Sequence, residues 1–360
     1  MASIRRVSSS APAPAPGATF APREFPSTGF EVINPADKIE EERQPFYRRE
    51  EYYPMQIGDV VGDHYQVVAK LGYGVTSTVW LARDLRDQKF WALKVHINTM
   101  THNQELVVYR HLASIPGDEN NGQQYVRQLE TSFKLNGPHG NHDVFVMTPL
   151  KMSLQSLLGA RKGQKFYKDF VKAALNQVLI GLLYLHDVDV THTGQARIGG
   201  KHRGNAMPTQ YRSPEIILDM EWGSPVDLWS VGLISWDLLE KTPLFDIYDQ
   251  ESPEQNDAHH LAAMTALLGP PPPEFLKRSE KSAKFWNEDG QWIGPVPLPS
   301  NRTFESLAGA LTEEERDLFL DFVQCFLWWV PEERLDVMHA YFHPWLGNKQ
   351  PDSETEEDEA

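Results

Sequence analysis

Ser224-Pro225 opens the run VDLWSVGLISWDLLE, which is apolar on nearly every side of a helix. Such a helix cannot lie on a surface and belongs at the centre of a lobe made of other helices. The chain can supply that lobe, because its 360 residues are 41% apolar and 11% aromatic, enough for one large or two medium domains with a sizeable core. Asp227, in the first turn of this helix, is either a capping charge or a buried carboxylate that needs a polar partner.

Further helices follow from the same periodicity. Val171, Ala174, Leu175, Val178, Leu179, Leu182 and Leu185 form one apolar stripe before YLHD. Thr312 and Glu315 have capping-box spacing before LFLDFVQCFLWWV, whose adjacent tryptophans suit a core. Pro270 to Pro273 end the helix HHLAAMTALLG, although a proline run can also engage a proline-reading domain. His259 and His260 point apart on that helix, which argues against a metal site there.

The N-terminal half reads differently. Tyr65, Val67, Ala69 and Leu71 alternate as on a strand, and LGYGVTSTVWLA continues as glycine turn and second strand. In a third strand, FWALKV, Trp91, Leu93 and Val95 share one face, and Ala92 and Lys94 the other. A lysine beside a small residue suits a flat ligand carrying phosphates. The glycine pair alone is a weak signal, since hairpins in general carry such pairs.

The first forty or so residues read as a tail, rich in Pro and Ala, in which the prolines at 12, 14 and 16 would break an amphipathic helix. The end, PDSETEEDEA, reads as an acidic tail whose Ser353 and Thr355 suit an acid-directed kinase. Cys325, the single cysteine, excludes an internal disulfide and a cysteine metal cluster, and no apolar run approaches membrane-spanning length. The net charge of −16 argues against direct nucleic-acid binding and suits either solubility alone or basic partners.

The order of these elements resembles a eukaryotic protein kinase, which implies an α+β, bilobal fold with a small β-rich N-lobe and a larger helical C-lobe. The expected organisation is a disordered tail at 1–40, an N-lobe with its lead-in at 41–150, a C-lobe at 151–347 and the acidic tail at 348–360. The resemblance implies ATP as cofactor, with Leu71, Gly72, Tyr73, Gly74 and Val79 around the phosphate-covering loop and Ala92 and Lys94 on the following strand. Glu105 matches the helix glutamate that pairs with that lysine. Met147 takes the gatekeeper position of a hinge strand, VFVMTPL, and the backbone of Thr148 and Leu150 would meet the adenine edge. Ser213-Pro214-Glu215 resembles A-P-E, Glu215 then pairing with Arg334, and Asp227 would bond the backbone of the catalytic loop.

His192-Thr193 places threonine where most kinases have the arginine of H-R-D, as in the SR-protein kinases. HGNHDVFVMTPL, MEWGSPVDLWSVG and HHLAAMTALLGPPP also look like fungal members of that group. The resemblance implies Arg/Ser-rich protein substrates and a cytoplasmic and nuclear location.

The family pattern should continue after Thr193 with the catalytic aspartate, the metal-binding asparagine and a second, D-F-G aspartate. This chain goes directly to Gly194, which matches the end of D-F-G, and no acid occurs from Val190 to Pro214. About thirty residues of the pattern are absent, and the ligands that would hold Mg2+ in the family are absent with them; no other metal site is expected. Three readings stay open: a Ser/Thr kinase whose sequence has lost a segment, a pseudokinase that binds basic partners, and a degraded chain. Loss of that segment is expected to leave apolar surface uncovered beneath the Glu105 helix and to lower stability, whereas sharp two-state melting would favour the pseudokinase.

Overall fold

The computed structural model describes residues 20–34, 36–116, 122–160, 166–192, 194, 196–245, 247, 252 and 255–349. Thr193, Ser353 and Thr355 lie outside them. The fold is mixed α+β, and the backbone divides into a sheet-bearing unit, Met1–Asn103 with Arg127–Ser153, and a helical unit, Gln104–Val126 with Leu154–Ala360.

In the first unit, strands β1 (Val60–Val61), β2 (Tyr65–Gly74), β3 (Ser77–Asp84), β4 (Phe90–His96), β5 (Leu129–Gly137) and β6 (Gly140–Met147) form an antiparallel sheet in the order β1-β2-β3-β4-β6-β5. Its core lies on one face, where Val67, Trp80, Leu93, Val95, Val144 and Val146 pack together. The expected alternation of β2 stops at Val67. Register shifts at Val67/Ala69 and Lys70/Gly72 turn the strand, leaving Leu71 48% exposed. Part of the segment expected as a tail lies against the sheet. The Phe20 N–H donates to the Leu85 carbonyl, and the backbone of Arg23 exchanges hydrogen bonds with the buried Gln66 amide at 2.8 and 2.7 Å.

The helical unit contains α1 (Gln104–Ser114), α2 (Leu154–Gly159), α3 (Lys168–Asp187), α4 (Pro214–Ile217), α5 (Pro225–Leu239), α6 (Asn256–Leu268), α7 (Pro273–Leu276), α8 (Phe304–Leu307), α9 (Glu313–Gln324) and α10 (Val337–Tyr341). Helix α5 is buried around its circumference, as its composition requires, with Trp229 and Trp236 fully enclosed. Gly232 permits this, since a Cβ there would stand 3.1 Å from Phe326 Cβ. The α3 stripe is narrower than its periodicity suggests. Val171, Leu175, Leu179, Leu182 and Leu185 are buried, while Val178 is exposed.

Three local expectations are revised. Thr312 is the N-cap of α9, but its hydroxyl meets the Glu315 carboxylate at 3.3 Å instead of a backbone N–H. Only Trp329 of the tryptophan pair is core, Trp328 being 49% exposed, because adjacent side chains point in different directions. Two apolar residues of α1, Val108 and Leu112, are buried in the helical unit's core while Val107 stays exposed, and the His111 ring bonds the Val188 carbonyl at 2.8 Å.

Candidate nucleotide face and catalytic-loop remnant

The sheet register gathers the residues matched to the nucleotide. Gly72 pairs with Val79, Val79 with Lys94 and Lys94 with Phe145. Two positions along, Leu81 pairs with Ala92 and Ala92 with Met147. Paired residues share a face, so Val79, Ala92, Lys94 and Met147 stand together on the face opposite the unit's core. Ala92 and Met147 are buried there and Lys94 is partly buried.

The glycine turn presents its side chains outward, with Leu71, Tyr73 and Val75 exposed between the smaller Gly72 and Gly74. The Tyr52 hydroxyl holds the turn by donating to the Val75 carbonyl at 2.9 Å. Beyond β6, Thr148 and Leu150 are exposed. The Thr148 carbonyl accepts a bond from Arg127 Nη2 at 3.2 Å, a partner that no sequence pattern singled out. Glu105 lies on α1, in the helical unit.

In the helical unit, Asp227 lies under the remnant of the catalytic loop. Its Oδ2 accepts the backbone N–H of His192 at 2.8 Å and stands 3.0 Å from His186 Nε2. His186, the third residue of the YLHD run and six residues before His192, was not singled out. Oδ1 is buried and has no partner among the described residues. Burial therefore pushes the Asp227 carboxyl above the usual range, against the opposing pull of His186 and His192.

Arg334 forms a two-pronged pair with Glu215, Nη1 to Oε1 at 2.6 Å and Nη2 to Oε2 at 2.7 Å, with both side chains almost wholly buried. It also donates to the carbonyls of Trp328 and Pro225 and lies over the Trp229 ring. The pair ties α4 to the start of α5 and to the segment before α10.

After His192 the chain returns to the sheet-like hairpin within five residues: β7 (Val190–Thr191) pairs antiparallel with β8 (Arg197–Ile198). Asp187 and Asp189 are exposed at the turn between α3 and β7. Elsewhere, Asp321, Cys325 and His343 place ligand atoms within 4.8 Å of one another. His343 Nδ1 accepts the Trp345 N–H, so Nε2 carries the ring proton and faces Asp321 at 3.2 Å. That arrangement satisfies a neutral structural histidine and leaves it no lone pair for a metal.

Residues 198–346 match the protein kinase domain. A serine/threonine protein kinase of Aspergillus fumigatus is 35% identical over 376 aligned positions, covering 90% of this chain and 95% of that protein. A serine/threonine-protein kinase SRPK of Physarum polycephalum is 26% identical, covering 87% and 92%. Human dual specificity tyrosine-phosphorylation-regulated kinase 3 is 27% identical over 81% of this chain and 55% of its own length. The chain belongs to the protein kinase family, among serine/threonine protein kinases, and its sheet-bearing and helical units are those of the bilobal kinase fold.

Proposed function

We propose that this chain derives from a kinase of the SR-protein kinase type, which transfers the γ-phosphate of ATP to serines of Arg/Ser-rich proteins, and that the chain as it stands does not carry out the transfer. The observation that carries the second part is the five-residue passage from β7 to β8. Asp227 holds the His192 N–H as a catalytic-loop anchor would, yet no carboxylate stands between Asp189 and Glu215. Phosphoryl transfer needs a group to orient the acceptor hydroxyl and ligands for Mg2+ to neutralise phosphate charge. The residues present do not fit Mg2+, because the stretch that should supply its carboxylate and amide oxygens is missing.

The nucleotide is better supported. Lys94, beside Ala92 and Met147 and across from Val79, offers a cation and a flat apolar floor on one sheet face. These residues bind and orient; none of them moves a proton. The aligned length with the A. fumigatus kinase, 376 positions, exceeds the 360 residues of this chain, so that relative has residues that this chain lacks.

For the SR-type assignment the support is Thr193 in the H-R-D position, the Physarum relative, and a net charge of −16 that suits guanidinium-rich substrates. Such substrates imply a role in regulating mRNA splicing and a cytoplasmic and nuclear location. The second reading, a pseudokinase scaffold for basic partners, rests on the same charge and on the loss of the acids. A phosphotransfer assay on an Arg/Ser-repeat peptide, run beside co-precipitation of that peptide, separates them. Turnover that disappears in Lys94→Ala would overturn the loss of activity. Capture of the peptide without turnover supports the scaffold.

A further inference from the structure

We infer that the lead-in segment, residues 40–52, positions the glycine turn through Lys70 and through the carbonyl of Val75, and thereby sets how tightly the sheet face holds phosphate. Glu40, Glu41 and Tyr52 are the positioning residues. The inference rests on the nucleotide reading proposed above and adds to it residues that lie off the nucleotide face.

Lys70 is the cation of β2 nearest the turn, yet its charge faces the wrong way to meet a ligand. The register pairs it with Trp80, a core residue, so it stands on the face opposite Val79 and Lys94. There its ammonium meets Glu40 Oε2 at 2.6 Å and Glu41 Oε2 at 2.5 Å. It also lies 5.5 Å from the centre of the Trp80 ring and 5.9 Å from that of Tyr73, which is part of the turn's approach. Lys70 and Glu41 are only 21% and 12% exposed, so salt screens this anchor less than a surface pair. Two carboxylates offset the Lys70 charge, and its role is to tie β2 to the lead-in.

The turn itself, Val75 and Thr76, is held at both carbonyls. The Tyr52 O–H donates to the Val75 carbonyl at 2.9 Å, and the Ile97 N–H donates to the Thr76 carbonyl at 3.0 Å. Asn98, the next residue, binds the lead-in in its turn. Its N–H donates to the Glu51 carbonyl at 3.0 Å and its Nδ2 to the Glu50 carbonyl at 2.8 Å. Burial, and after it the Glu41 charge, holds the Tyr52 phenol above its ordinary range, so it stays a donor through neutral pH. Without these bonds the turn has little to select one shape, since Leu71, Tyr73 and Val75 are exposed and Gly72 and Gly74 add no side chains. A turn ordered in advance lowers the entropy lost when phosphate binds.

The test is calorimetric titration of the full chain with ATP and with adenosine, both without Mg2+. The turn bears on phosphate and not on the base. Tyr52→Phe, which removes only the hydroxyl, should therefore weaken ATP about threefold to tenfold and leave adenosine unchanged. Glu40→Gln combined with Glu41→Gln should do the same, and amide exchange at Val75 and Thr76 should quicken in both proteins. Equal losses for ATP and adenosine would mean that the sheet as a whole had weakened, and would overturn the inference. So would ATP affinity equal to the parent's in Tyr52→Phe. Tighter ATP binding in the double variant would show that the acids withhold Lys70 from phosphate, which is the opposite role. A parent that binds neither probe would refute the nucleotide reading and this inference with it, whereas failure confined to the variants counts against the inference alone.

Discussion

Asp227 Oδ2 accepts the backbone N–H of His192 at 2.8 Å while the same carboxylate's Oδ1, equally buried, has no donor among the described residues. One oxygen thus takes both bonds, from His192 and His186, and the other bears an uncompensated desolvation cost. Asp227→Ala should remove the acceptor of a buried N–H and cost about 2–4 kcal/mol. Asp227→Asn keeps an acceptor oxygen without the buried charge and should cost less than half of that. Because burial raises this carboxyl's pKa in the folded state, its stabilising contribution is full below the unfolded value of 3.8 and falls as pH rises through the folded value. Urea unfolding across pH 4–8 should show Asp227→Asn losing less stability with rising pH than the parent; parallel curves would refute the assignment.

The Glu215–Arg334 pair should behave as a unit. Both side chains are almost wholly shielded, at 1% and 0% exposure, so either single variant, Glu215→Leu or Arg334→Met, strands a buried charge and should cost about 3–5 kcal/mol. The double variant Glu215→Leu with Arg334→Met should recover much of that loss. Chemical denaturation of the four proteins measures the coupling. Additive single costs would mean that each residue acts through other contacts, such as the Arg334 bonds to Trp328 and Pro225.

His260 gives a second, opposite pH dependence. It is wholly buried, its Nε2 has no partner among the described residues, and burial followed by the Arg212 charge brings its pKa down from 6.5 to about 3. The unfolded chain therefore takes up a proton near pH 6.5 that the folded chain refuses, and stability falls as pH drops from there toward 3. The loss is about 1.4 kcal/mol per pH unit. His260→Leu should remove this component, so that between pH 6.5 and 5 the variant gains about 2 kcal/mol on the parent. Denaturation midpoints at the two pH values decide it, and an unchanged difference would show that His260 titrates normally.

These predictions also show which parts of the molecule sequence could convey. Helix α5 was legible because all-round apolar character has a single physical solution, and Asp227 inside it demanded a partner. The sheet face was legible at β4, where strict alternation separates Lys94 from Leu93, but not at β2, where two bulges exchange the faces without a marker in the residues. Arg127 and His186 went unseen because their partners, the Thr148 carbonyl and the Asp227 carboxylate, are 21 and 41 residues away.

Nucleotide binding is expected to be weak and nearly independent of Mg2+. Lys94 supplies a fixed cation on the face that carries Ala92 and Met147, so some phosphate attraction remains without metal. The acids that would hold Mg2+ in the family are absent from Val190 to Pro214, so added metal has no ligand set to complete. Thermal shift with ATP, run on the full chain, is the measurement. There a small rise in melting temperature should be the same with and without Mg2+, and Lys94→Ala should weaken binding roughly tenfold or more. A large stabilisation appearing only with Mg2+ would mean that carboxylates from elsewhere in the chain assemble a metal site, and the proposed inactivity would fall with it.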